Sequence, residues 1–179
     1  MARVRRAPKG TMVTALASDW SAARIKVEMA DMKISARPGG VLDTGSLGAG
    51  MALSIYDPQL RIGGILHFML PDSGLKRNRA QDNPFVFADT GIPQLFHGAY
   101  KLGAAKERLV CRMVGGAALV RGGFGIGAEN AEAARRILER NHVRLAGELT
   151  GGVASISISL DLGTGRIQAV KSNGEVTEL

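Results

Sequence analysis

The chain has 179 residues, 45% of them hydrophobic, 4% aromatic and one of them cysteine, with a formal charge of +7. That length suits a single domain with a core filled by aliphatic rather than aromatic side chains. A lone cysteine excludes an internal disulfide framework, and no apolar run approaches the roughly 18 residues a bilayer span needs, so membrane insertion is not expected and the cytoplasm is the expected compartment.

Residues 1–22 read as a basic, flexible tail with a short helical stretch at Met12–Ala23, and residues 23–179 as the folded domain. Arg3, Arg5, Arg6 and Lys9 have no aromatic residue among them and no apolar run behind them. A base-stacking surface for nucleic acid and a signal peptide are therefore not indicated. An arm for acidic partners is the functional alternative to a solubilising tail.

Ile25, Val27 and Met29 alternate as on a half-buried strand, and the phase shifts to Met32 and Ile34, which predicts a bulge or break near Ala30-Asp31. Arg37-Pro38-Gly39-Gly40 reads as a turn. Met51, Leu53 and Ile55 form a second strand ended by Asp57-Pro58, and Ile62–Leu70 is a strand buried on both faces. Residues 74–85 read as a polar, mobile loop. Asp89 or Thr90 is expected to cap a helix to about Leu102, with Gly91 and Pro93 in its first turn. Leu109, Cys111 and Met113 alternate on the next strand.

A helix from about Gly127 to Asn141 presents Ala131, Ala134 and Leu138 on one face and pairs Glu132 with Arg136. Val143–Ala146 reads as a strand. Ile156, Ile158 and Leu160 alternate with Ser155, Ser157 and Ser159, and Asp161–Gly165 turns that strand back into Arg166–Val170. Without a repeat or a linker, the pattern predicts one α+β domain with mixed or antiparallel sheets and flanking helices.

The segment from Thr44 to Gly74 carries the functional signal. Thr44, Leu47 and Gly48 open a Gly-rich turn, Asp57-Pro58 ends a strand, and Gly63-Gly64 precedes His67, Met69, Leu70 and Pro71. This order resembles the chemoreceptor glutamine deamidase family of bacterial chemotaxis (CheD), which reads T-x-x-L-G-S-C, an apolar strand, D-P, G-G and H-x-M-L-P. FADTG at Phe87–Gly91, KLGAAKERL at Lys101–Leu109, MVGGAALV at Met113–Val120, IGAENAEAARRIL at Ile126–Leu138, Gly151-Gly152 and TGR at Thr164–Arg166 extend the likeness over roughly residues 24–170.

The resemblance implies a chemistry in which a cysteine thiolate attacks a receptor glutamine amide, a histidine serves as base and a threonine orients it. By position, His67 is the base and Thr44 the orienting residue, while Gly50 stands where the family has its cysteine nucleophile and Ala49 where it has a serine. Val153 and Ala154 follow Gly151-Gly152 where the family shows polar and basic residues. Taken by itself, His67 between Leu66 and Phe68 reads as a core histidine, and without a nucleophile it is expected to be a relic held by hydrogen bonds. Cys111 reads as a small core hydrophobe. Ser46 and Ser54 are hydroxyls away from the family position. His97 and His142 have no ligand-type spacing, so no metal or other cofactor is expected.

The expected function is that of a catalytically inactive CheD-like protein acting through protein–protein contacts, with a chemoreceptor or a CheC-type phosphatase as partner. An active amidohydrolase with a relocated nucleophile is the alternative, and a basic adaptor for acidic partners the second.

Overall fold

The computed structural model describes residues 23–75, 77–118 and 125–179. The basic tail and the helical stretch expected at its end lie outside that set, except for Ala23. The strands are β1 (Arg24–Val27), β2 (Asp31–Ser35), β3 (Val41–Thr44), β4 (Met51–Asp57), β5 (Ile62–Phe68), β6 (Val110–Gly115), β7 (Leu145–Thr150), β8 (Ile156–Asp161), β9 (Ile167–Lys171) and β10 (Val176–Glu178). The helices are α1 (Arg77–Asp82), α2 (Ala88–Lys101) and α3 (Ile126–Arg140). Among the described residues, no helix is long and apolar enough to cross a membrane.

The fold is a single α+β domain of three layers. One sheet runs β1-β3-β8-β9-β10 and the other β2-β5-β4-β6-β7. Both are mixed, because β1 pairs parallel with β3 and β6 parallel with β7, while the other pairings are antiparallel. Val27, Leu42, Ile65, Ile158 and Leu160 pack between the two sheets. On the far side of the second sheet, Leu53, Leu66 and Met113 pack against Ile92 and Leu95 of α2 and Ala134 and Leu138 of α3. The second sheet is thus covered on both faces, which is why every residue of β4 and β5 is buried and why β5 reads as an apolar run; β4, with Ser54 and Tyr56 among its residues, is covered on both faces as well. The first sheet has one outer face, and there the serines of β8 alternate with buried Ile156, Ile158 and Leu160.

Several local expectations are corrected. Of the bulge or break expected near Ala30-Asp31, the break is what forms, and it is a change of sheet: Ala30 takes φ 54°, and β1 and β2 belong to different sheets. β3 and β10 are strands that periodicity missed, being four and three residues long. Residues 73–86 carry two 3₁₀ turns and α1 rather than a bare loop. Helix α2 begins at Ala88 without a side-chain cap, so Pro93 lies inside it, and Asp89 instead accepts hydrogen bonds from the Ser73 N–H and hydroxyl. Glu132 meets Arg135 at i,i+3, and Arg135 also reaches Glu148 on β7. His142 lies just beyond α3, in the left-handed region at φ 52°.

Candidate functional site

The β4–β5 hairpin brings the start of β4 beside the end of β5. Met51 pairs with Phe68 and Ala52 with His67, so position 50 lies next to the histidine. A Cβ built on Gly50 would lie 3.1 Å from His67 Nε2, 3.0 Å from Met69 Sδ and 3.2 Å from the Phe68 carbonyl oxygen. The two positions singled out by sequence are therefore adjacent. Any side chain at position 50 would point its first atom at the imidazole.

The turn carrying Gly50 is fastened through its carbonyls. The Gly48 carbonyl accepts from Ala117 N–H at 2.9 Å and the Gly50 carbonyl from Gly116 N–H at 2.9 Å. The Ala49 carbonyl accepts from Asn130 Nδ2 at 3.0 Å, and the same amide group donates to the Met69 carbonyl at 2.9 Å. Leu47 closes the other side by exchanging two backbone hydrogen bonds with Ile156 of β8. Among the described residues, no acceptor meets the N–H groups of Gly48, Ala49 or Gly50. Carbonyls drawn back into the scaffold leave a run of free N–H donors, the arrangement by which a backbone turn favours a negative group.

His67 is 4% exposed, and burial pushes its pKa down. The Glu28 backbone and the Asp31 and Glu28 carboxylates act in the opposite sense without offsetting burial. The ring is therefore neutral at pH 7. Its buried Nδ1 meets no hydrogen-bond partner among the described residues. Packing surrounds this ring, and the Glu28 backbone is the hydrogen-bonding group that acts on it. Thr44 is buried, and its hydroxyl accepts from the Ile158 N–H at 3.0 Å, tying β3 to β8.

His67 and the turn line a cleft of about 480 Å³, with Met29, Met69, Leu70, Val86, Ser46, Arg79 and Ile126 completing its wall. Met29 is 65% exposed at this cleft, and Val153, 84% exposed, follows a Gly151-Gly152 turn bonded to Gly115 and Ala118. The other sequence candidates do not converge here. Cys111 is fully buried on the helix-facing side of the second sheet, and burial pushes its thiol up to about 12. Ser54 is buried and donates to the Arg112 carbonyl. His97 lies on α2. Among the described residues, no three His, Cys, Asp or Glu side chains are grouped to hold a metal ion.

Two site residues escaped sequence reading. Asn130 ends the I-G-x-x-N motif of Ile126–Asn130 and is the only polar residue on the buried stripe of α3, one turn before Ala134; the motif was legible, but its contacts with the site were not. Arg79 sits on a six-residue helix, Arg77–Asp82, that is polar apart from Ala80 and gives no signal.

A family model described as CheD chemotactic sensory transduction matches residues 69–171. The probable chemoreceptor glutamine deamidase CheD 1 of Syntrophus aciditrophicus is 39% identical over 155 residues, covering 86% of this chain and 97% of that protein. The chain belongs to the CheD family. Two further CheD relatives agree: the probable chemoreceptor glutamine deamidase of Solibacter usitatus is 42% identical over 158 residues, 87% of this chain and 93% of that one. The corresponding CheD 2 of Anaeromyxobacter dehalogenans is 43% identical over 157 residues, 87% of this chain and 98% of that one. This CheD chain is thus a chemotaxis-family protein over nearly the full length of its relatives. Its own sequence places a glycine beside His67.

Proposed function

We propose that this protein is a CheD-family chemotaxis protein that binds a chemoreceptor through the old active-site cleft without deamidating it. One observation carries the reading: a Cβ at position 50 would lie 3.1 Å from His67 Nε2, and glycine has no side chain to place there. Acyl transfer needs an attacking atom there, and glycine supplies none. His67, Thr44 and the site of the lost cysteine at Gly50 are read as the remains of that machinery. Support for continued binding comes from the fastened turn and from the apolar Met29 and Val153 exposed at the same end of the molecule. A CheC-type phosphatase is the second partner proposed for the same face.

The test is incubation with receptor cytoplasmic domains and mass spectrometry of their glutamines. The expected result is no conversion above background, alongside retained binding in a pull-down. A second reading is favoured by one observation: among the described residues, Ser46 is the only hydroxyl lining the cleft with His67. Deamidation that disappears in Ser46→Ala would replace the inactive reading with an active one.

A further inference from the structure

Among the backbone groups of the cleft, donors outnumber free acceptors, and the acceptors left to a ligand are the Ser46 hydroxyl and one nitrogen of the neutral His67 ring. The N–H groups of Gly48, Ala49 and Gly50 meet no acceptor among the described residues, whereas all three carbonyls of that turn are taken by Ala117, Asn130 and Gly116. The Met69 carbonyl is also taken by Asn130, and the Leu70 carbonyl by the Ala88 N–H. Among the described residues, Arg79 lines the same cleft and pairs with no carboxylate, and no Asp or Glu is in the wall, the Asp31 and Glu28 carboxylates acting on His67 from outside it. A primary amide presents one acceptor oxygen and two N–H donors, so it needs acceptors in its site. A carboxylate presents oxygens alone and needs only donors, preferably with a cation among them.

We propose that this cleft binds the carboxylate of a receptor glutamate, the product side of the family's reaction, in preference to the glutamine that active members convert. The inference rests on the reading above that the receptor docks at this cleft. Its carboxylate would lie between the free N–H groups of the turn and the Arg79 guanidinium, with the His67 ring against it. Met29, Met69 and Val86 would cover the methylenes of the same side chain. The protein would then be a reader of the receptor's modified state.

The experiment uses the full chain and the cytoplasmic domain of a chemoreceptor from the same genome. That domain is prepared in two forms, with its modifiable side chains encoded as glutamate or as glutamine, and affinities are measured by calorimetry. The glutamate form is expected to bind at least about fivefold more tightly, the size of one partly exposed charge-assisted contact. Arg79→Ala should bring the two forms to equal affinity. Arg140→Ala removes the same charge from the far end of α3 and should keep the preference, which separates the cleft from a general attraction of a basic protein for an acidic one. Equal affinities in the unmodified chain, a preference for the glutamine form, a preference that survives Arg79→Ala, or one lost equally in Arg140→Ala would each overturn the inference while leaving receptor docking intact. Absence of binding by both forms would overturn the docking reading as well.

Discussion

At the scale of the residue, the proposed reading turns on position 50. A side chain there would have little room: Met69 Sδ and His67 Nε2 stand 3.0 and 3.1 Å from where a Cβ would be. The thioether is the end of a flexible side chain and can move aside, so Gly50→Cys should fold. Its sulfur would then lie beside a neutral imidazole able to take its proton, which raises the thiolate fraction. Cys111, buried and with its thiol pushed up to about 12, has neither access nor ionisation. Iodoacetamide at pH 8 should therefore label the introduced thiol of Gly50→Cys within minutes and leave Cys111 unlabelled until the protein unfolds, as read by peptide mass. Labelling of both thiols at similar rates would mean that His67 does not activate position 50.

At the scale of the element, α3 holds the site by coming into backbone contact with the strand layer. A Cβ on Gly127 would stand 2.2 Å from the Gly116 carbonyl oxygen, a main-chain atom that cannot swing away. This contact brings Asn130, one turn later, within reach of the Ala49 and Met69 carbonyls. Gly127→Ala should thus lower stability by about 1 to 3 kcal/mol, the usual range for overpacking. Gly125→Ala, where a Cβ meets nothing within 4 Å, is the control and should change stability by no more than about 0.5 kcal/mol. Equal urea midpoints for the two variants would show that α3 moves freely against the sheet. The motifs G-G at Gly115-Gly116 and I-G-x-x-N at Ile126–Asn130 are legible in the sequence, but their meeting is not. The two glycines in contact, Gly116 and Gly127, lie on either side of a connecting segment, and no periodicity encodes what lies on the other side of a glycine.

At the scale of the whole molecule, two buried groups make stability fall in separate acid steps. The folded pKa of His67 lies below the 6.5 of a free imidazole, so the unfolded chain takes the proton first. Its contribution is complete above about pH 6.5 and is lost as the pH falls from there towards the folded value. Asp57, fully buried, is held at about 2 chiefly by its hydrogen bonds to Arg108, with the N–H groups of Leu60, Ala105 and Gln59 adding to them. It favours folding above the ordinary carboxylate value of 3.8 and loses that contribution between there and about 2. Arg108 is 32% exposed, which screens the pair, so the second step should amount to roughly 1 to 2 kcal/mol. Urea midpoints at pH 8, 5.5 and 3 should decline in both intervals. His67→Gln should flatten the first interval and Asp57→Asn the second. A first step that persists in His67→Gln would assign it to other groups.

The sequence by itself determined the family, the α+β class, the buried character of β5 and the adjacency of positions 50 and 67. Each of these follows from local pattern: apolar runs fix which strands are covered on both faces, and the short Asp57-Pro58 connection forces the two strands to pair. The tertiary structure alone decided the rest. It split β1 from β2 into different sheets, gave the Thr44 hydroxyl to Ile158, left His67 Nδ1 without a partner among the described residues and set Arg79 and Asn130 at the cleft. These are contacts between residues up to 114 positions apart, made by packing two sheets and a helix layer together. Hydrophobic periodicity tells which face of an element is buried; which neighbour it meets there, and which polar groups are left over, is settled only when all the layers close around one core.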